Sequence, residues 1–383
     1  MLKLLAWIPP SWLHWLPFRS STPAVAKEQA KAITKAEDHP SRVVQSDQIL
    51  EENPVFEESH LTRCPDRAAG AHVVDGTVDD ESKIVAYSHT KQSKAPLDLT
   101  SHVVRQSVYP IAYGGWSDIW KCTLKQDSQS REVAVKSIRS HILDDDDMRK
   151  KGKKLRRELK VWARLKHENI LPLFGVATGF GPFTALVCPW MDNGTLTSYL
   201  EHNREQLSLR DRLELLRDAA AGLCYLHSCS VVHGDLTGSN VLVSASGRAQ
   251  LSDFGLSSIM VEFMGTSYLP SSMNATARWV APEIFTSYND ESLSWVPTEQ
   301  SDIYSFGSIM LQVCSGEVPY ANLQRDVQVL LALSRGVKPS RPQTAWMNDR
   351  IWDFIQRCWG EQSAKRPSAE EALSFLQGEL SLL

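Results

Sequence analysis

Two apolar runs with acidic and amide residues at their ends carry the densest chemistry in the chain. The first is Val231-Val232-His233-Gly234-Asp235-Leu236-Thr237-Gly238-Ser239-Asn240-Val241-Leu242-Val243. After a turn comes Leu251-Ser252-Asp253-Phe254-Gly255. Read as short strands that pair, they bring Asn240 and Asp253 to neighbouring loop positions. A carboxylate and an amide oxygen together suit a hard, oxygen-seeking ion such as Mg²⁺, which makes Asn240 and Asp253 the candidate metal ligands. Asp235 is left free to act as a base.

Three further signals are weaker one by one. Val133-Ala134-Val135-Lys136 ends an apolar run on a lysine, which is costly inside a sheet unless an anion compensates it. A phosphate would do so, and so would a carboxylate such as Glu158, in the helix expected over Lys153–Lys166. The turn Ala112-Tyr113-Gly114-Gly115-Trp116-Ser117 lies between strand-like pieces. Its glycines would let backbone N–H groups approach a phosphate, although a Gly-Gly hairpin turn needs no such role. Ala281-Pro282-Glu283 carries an acid that, if buried, needs a cation, and Arg366 is the candidate.

These residues need two kinds of support. Alternating apolar residues over Val108–Ile111, Ile119–Thr123 and Glu132–Ile138 predict antiparallel strands. Beyond Asn193 the period is mostly helical, with helices expected over Leu209–Leu226, Gln300–Cys314, Asp326–Arg335, Asn348–Cys358 and Ala369–Gln377. The expected fold is α+β: a small antiparallel-sheet lobe with one helix, then a larger helical lobe, with a cleft between them. The domain is expected over residues 103–383, with lobes of about 103–190 and 191–383.

The rest of the chain reads differently. Residues 20–102 have mixed charge, scattered Pro and no sustained period, so they are expected to form an unstructured arm. In residues 1–19 the apolar run Leu4–Ile8 stops at Pro9 and Pro10, too short to span a membrane. A loose or packed tail, a weak interfacial anchor and a cleaved signal all fit this segment, so weak membrane association through residues 1–19 stays open. The net charge of -4 and pI of about 6.3 speak against a nucleic-acid-binding role. The basic stretch Met148–Asn169 reads as a solvated helix face. Seven cysteines without a C-x-x-C pair form neither a disulfide framework nor a zinc site, which implies a reducing, cytoplasmic (intracellular) location. No feature specifies an oligomeric state.

In order, these pieces resemble the protein kinase catalytic domain over about residues 103–380: glycine-containing turn, V-A-V-K, helix Glu, H-x-D-x-x-x-x-N, D-F-G, A-P-E, Ser301-Asp302-Ile303-Tyr304-Ser305-Phe306-Gly307, late arginine. Cys358-Trp359 before Arg366-Pro367, and Arg278-Trp279-Val280 before A-P-E, are similar to the tyrosine-kinase-like branch of serine/threonine kinases. The resemblance implies a bilobal kinase fold, ATP and Mg²⁺ as cofactors, and protein substrates. It implies that Lys136 holds the α/β-phosphates and pairs with Glu158, and that Asp235 accepts the proton of the substrate hydroxyl. Asn240 and Asp253 would bind Mg²⁺. Adenine would lie between Ile111, Ile119 and Ala134 above and Leu242 below. Cys188 would stand at the back, with Pro189 and Met191 offering hinge backbone groups. Ala112, Tyr113, Gly114 and Gly115 would cover the phosphates.

The sequence also departs from that family. Ala112 and Ser117 stand where the first and third glycines are usual. Thr237 and Ser239 stand where serine/threonine and tyrosine kinases respectively carry a cation, a loss that Arg278 or a substrate group would have to make good. Gly234 replaces the arginine through which a phosphorylated activation loop is ordered, so phosphates at Thr266, Ser267 or Tyr268 are expected to be dispensable. A pseudokinase, binding nucleotide or serving as a scaffold, is the alternative reading.

Overall fold

Strand alternation decides which side chains face the cleft. In a computed structural model that describes residues 95–113, 117–126, 128–139, 145–255, 277–286 and 296–383, six strands form one antiparallel sheet in the order β1-β3-β4-β6-β5, with β2 also on β3. They are β1 (Val103–Arg105), β2 (Ala112–Tyr113), β3 (Ser117–Gln126), β4 (Gln129–Ile138), β5 (Gly175–Ala177) and β6 (Ala185–Pro189). Trp120, Cys122 and Leu124 of β3 and Val133 and Val135 of β4 enter a small core with Leu99, Ala177, Ala185 and Val187. Because successive residues alternate faces, Ile119, Ala134 and Lys136 take the opposite side. There Ala112 lies opposite Ile119, Ile119 opposite Lys136, and Ala134 opposite Cys188.

Two expectations are corrected in this lobe. Val108–Ile111 is not a strand: Val108 and Tyr109 are 80% and 74% exposed, and pairing begins only at Ala112. Nor does the folded body begin at residue 103. Leu99 is 1% exposed and inside the sheet core. Its N–H donates to the Val176 carbonyl at 2.7 Å, and the Val176 N–H donates to the Leu97 carbonyl at 2.8 Å. The segment Leu97–His102 is thus part of this lobe. Three polar or small residues around Leu99 hide that from any periodicity argument.

Helix α1 (Asp145–Trp162) begins and ends earlier than its expected Lys153–Lys166. Leu155, Leu159 and Trp162 recur on one face and are buried, while Arg156, Arg157 and Lys160 are exposed. The Trp162 ring N–H donates to the Leu171 carbonyl at 2.8 Å, and the chain leaves the helix there.

The larger lobe contains α2 (Leu196–Asn203), α3 (Leu209–Ser228), the short α4 (Glu283–Thr286), α5 (Glu299–Ser315), α6 (Asp326–Ser334), α7 (Asp349–Cys358) and α8 (Ala369–Ser381). The expected helices match α3 and α5–α8 to within a few residues. Their starts are chemically marked: Ser208 with Asp211, Thr298 with Ser301 and Ser368 with Glu371 form capping boxes, and Asn348 caps α7. Helix α2, capped by Thr195, was not anticipated. Helix α5 is buried along Ser301–Ser315 and runs through the core of the lobe. The hairpin of β7 (Val241–Val243) and β8 (Ala249–Leu251) forms as expected.

The chain divides into residues 1–65 and 66–383, and every described residue lies in the second unit. The expectations on residues 1–19, on most of the arm, on Gly114 and Gly115, and on Thr266, Ser267 and Tyr268 fall outside the described residues. Among the described residues, no helix is long and apolar enough to cross a membrane.

Candidate active site

The β7–β8 hairpin places the metal-ligand candidates. Val241 lies opposite Leu251, so the residues just outside the pair meet. The Ser252 N–H donates to the Asn240 carbonyl at 2.8 Å, and Asp253 follows directly. Asp253 has φ of 61°, a left-handed conformation that Asp tolerates better than most residues. The Gly255 N–H then donates to the His233 carbonyl at 3.1 Å, tying this turn to the segment that carries Asp235.

Asn240 and Asp235 form a clasp. The Asn240 Nδ2 donates to the Asp235 carbonyl at 2.7 Å and to its Oδ2 at 3.0 Å. Burial pushes the Asp235 carboxyl up to about 7; the Asn240 hydrogen bond works against that shift, and the Asp253 charge adds to it. With its N–H groups engaged, Asn240 keeps an amide oxygen that accepts no hydrogen bond from the described residues. That oxygen and the Asp253 carboxylate are a fitting donor pair for Mg²⁺. Among the described residues, no cluster of three or more His, Cys, Asp or Glu could hold a metal by itself, so phosphate oxygens would have to complete the shell.

Lys136 reaches this site from the sheet, and its ion-pair partner is Asp253. The expected pair with Glu158 is not formed, which corrects that assignment. Glu158 is half-buried on α1 with no ion pair among the described residues; burial raises its carboxyl, against the nearby Lys154 and Arg157 charges. Phe254 packs between the two lobes' elements, 4.8 Å from the Trp162 ring and 6.3 Å from His233. His233 is fully buried, and burial lowers its pKa and keeps it neutral. Its Nδ1 accepts the Asp235 N–H at 3.3 Å.

Of the residues expected around adenine, Ile119, Ala134 and Leu242 are half-buried, Ile111 and Tyr113 exposed, and Cys188 and Met191 buried. Ile111 is nonetheless tied to the sheet, its N–H donating to the Ile119 carbonyl at 2.8 Å. Leu242 bridges to Thr195, while Cys188 and Pro189 lie opposite Ala134 and Val133 on β4. Burial pushes the Cys188 thiol up to about 12, so it is an inert wall and not a nucleophile. These pairings tie β4 to β6, and the β7–β8 hairpin to Thr195 at the start of α2.

A model of the family described as protein tyrosine and serine/threonine kinase matches residues 106–376. The chain belongs to that protein kinase family. It is 31% identical over 246 residues to the tyrosine-protein kinase TXK of Mus musculus, covering 64% of this chain and 43% of TXK. It is 24% identical over 270 residues to the serine/threonine-protein kinase STY46 of Arabidopsis thaliana, covering 70% and 43% respectively. With the probable serine/threonine-protein kinase SIS8 of the same plant it shares 30% identity over 271 residues, 70% of this chain and 24% of SIS8. The chain thus spans less than half the length of these relatives. The kinase has the bilobal α+β fold of its family.

Several residues hold the kinase site together without having been assigned a role from sequence. Asp302, 1% exposed on α5, accepts the His233 and Gly234 N–H groups at 2.8 Å each, and its Oδ2 meets His227 Nε2 at 3.0 Å. Gly234 has φ of 77°, so its backbone, not only its missing side chain, favours glycine. Gln312, also buried on α5, donates to Thr197 Oγ1 at 2.9 Å and accepts from Trp279 Nε1 at 3.1 Å. Gly238 packs so closely on Gln312 and Thr197 that a Cβ would overlap both. Asp302 and Gln312 both lie in the stretch of α5 buried from Ser301 to Ser315, and an acid and an amide there were the available signals. Glu283 and Arg366 do pair, at 2.5 and 2.8 Å.

Arg278 does not replace the absent cation. It donates to the carbonyls of Pro319, Tyr320 and Leu323 at 2.9–3.0 Å and pairs with Asp326 at 3.3 Å.

Proposed function

We propose that this chain is an ATP-dependent protein kinase that transfers the γ-phosphoryl group of Mg-ATP to Ser/Thr hydroxyls, with Tyr as the lesser acceptor. The observation that carries the reading is the Asn240 clasp, which orients Asp235, on a hairpin where the Ser252 N–H bonds the Asn240 carbonyl and Asp253 follows directly. Asn240 and Asp253 would hold Mg²⁺, and Lys136 would turn from Asp253 to the α/β-phosphates. Bound Mg²⁺ supplies charge neutralisation across the phosphates. Asp235 would accept the hydroxyl proton as the substrate oxygen bonds to phosphorus and the bond to the departing ADP oxygen breaks. Ile111, Ile119, Ala134 and Leu242 would sandwich adenine, the Pro189 carbonyl and Met191 N–H would pair with its edge, and Ala112–Gly115 would cover the phosphates. The similarity of Cys358-Trp359 before Arg366-Pro367, and of Arg278-Trp279-Val280, to the tyrosine-kinase-like branch of serine/threonine kinases supports the Ser/Thr preference.

A second reading, a nucleotide-binding pseudokinase, is favoured by the Lys136–Asp253 pair with Glu158 apart. The purified chain, given labelled Mg-ATP and a generic protein substrate, should yield phosphoserine and phosphothreonine, and Asp235→Asn should abolish the product. Nucleotide binding without transfer by the unmodified chain would select the pseudokinase.

A further inference from the structure

The cations near the phosphoryl-transfer site are nearly all committed elsewhere. From Asp218 to Ala277, the stretch that carries Asp235, Asn240 and Asp253, the sequence contains one Lys or Arg, Arg248. Arg248 donates to Asp218 at 2.6 Å and reaches Glu168 at 3.3 Å. Arg278 is occupied by three carbonyls and Asp326. The segment that covers the phosphates, Gln106–Trp120, holds no Lys or Arg. Arg139, at the far end of β4, lies 3.3 Å from Asp118. Of the cations on described residues of these segments, Lys136 stands beside the Asp253 carboxylate, while Lys154 and Arg157 of α1 act on Glu158.

The two positions that would normally add charge are neutral and differ in exposure. Thr237 is 3% exposed, and its hydroxyl accepts the Ser239 N–H at 3.3 Å. Ser239 is exposed, with a side chain too short to reach across the site. Meanwhile the transferring group spreads negative charge over its oxygens at the transition state, where one well-placed cation is worth about 10³-fold or more in rate.

We propose that the acceptor substrate supplies this cation: the chain phosphorylates hydroxyls that have a Lys or Arg about one or two residues away, within side-chain reach of the transferring phosphoryl group. The inference rests on the kinase reading above and names the substrate class of that same site. The cation takes part in no bond change. Phosphorus still passes from the ADP oxygen to the substrate oxygen, and the hydroxyl proton still goes to Asp235. The substrate side chain neutralises the charge that Thr237 and Ser239 leave uncompensated.

The test uses the full chain, Mg-ATP and two peptides that share one acceptor and differ only by arginine or its neutral isostere citrulline beside it. A cation acting on the transferring group appears in kcat, whereas remote docking appears in KM alone. The citrulline peptide should show kcat lowered at least about tenfold, or ~1.4 kcal/mol in the barrier. Ser239→Arg should raise kcat on the citrulline peptide and shrink the ratio to below about threefold. Thr237→Lys carries the same measurement should Ser239→Arg lose its thermal stabilisation by Mg-ATP. Equal kcat on both peptides, a difference confined to KM, or a ratio unchanged in a folded Ser239→Arg protein would overturn this inference alone. Nucleotide binding with no transfer to any peptide would overturn the kinase reading and this inference with it.

Discussion

The floor and the roof of the cleft are held by different forces. The floor is set by directional hydrogen bonds to buried groups of α5: Asp302 takes the His233 and Gly234 N–H groups, and Gln312 joins Trp279 to Thr197 beside Gly238. The roof helix α1 docks through Leu155, Leu159 and Trp162, and Glu158 on the same helix makes no ion pair with Lys136. Apolar contact is non-directional and tolerates small shifts, whereas a buried N–H without its acceptor costs about 1–3 kcal/mol. The loop carrying Asp235 is therefore held by several directional bonds, whereas α1 rests on apolar contacts and a bond at its end, from the Trp162 ring N–H to the Leu171 carbonyl.

The comparison can be broken most sharply at the floor. Asp302→Ala strands two backbone N–H groups, and should cost about 3 kcal/mol or more in urea denaturation and at least ~100-fold in kcat. A rate within a few fold of the unmodified chain would show that α5 does not fix the loop. The edge of the roof comes next. Leu99→Ala should cost about 2–4 kcal/mol, because a buried side chain leaves a cavity in the small sheet core. A stability change near zero would return Leu97–His102 to the arm.

Glu158→Gln sharpens the comparison through a split in its effects. No ion pair is broken, so stability near neutral pH should change by less than about 0.5 kcal/mol. The sign follows from burial. Raising the folded pKa means that ionisation of Glu158 opposes folding above its unfolded value of about 4.3, so the Gln variant gains slightly at pH of about 8. That gain should vanish below about pH 4, where the wild-type carboxyl is protonated in both states. Transfer rate should nonetheless fall about tenfold if α1 shifts during turnover to bring Glu158 to Lys136. An unaltered rate would assign the Lys136–Asp253 arrangement to the working enzyme. The smallest effect is expected at the activation loop, since Gly234 offers a phosphate no cation. Changing Thr266, Ser267 and Tyr268 together to Ala should leave the initial rate within about threefold, measured before and after phosphatase treatment.

Much of the site could be read from sequence because its chemistry is local. The spacing from Asp235 to Asn240 and the two apolar runs were enough to bring Asn240 beside Asp253, since a short hairpin has one sensible register. Alternation in β3 and β4 put Ile119, Ala134 and Lys136 on one face, and the helical period marked α3 and α5–α8 before any contact was known. Contacts between distant segments were not legible. Nothing in the spacing of Leu97–Leu99 announces a β5 partner at Val176. Arg278 had no visible destination among the carbonyls of Pro319–Leu323. The motif order named Glu158 as the partner of Lys136, whereas the fold pairs Lys136 with Asp253. The physical reason is the same in each case: side-chain type and period record what a residue can do within its own element. Which of several eligible partners it meets depends on how helices and sheets dock, and that is settled by packing summed over the whole domain.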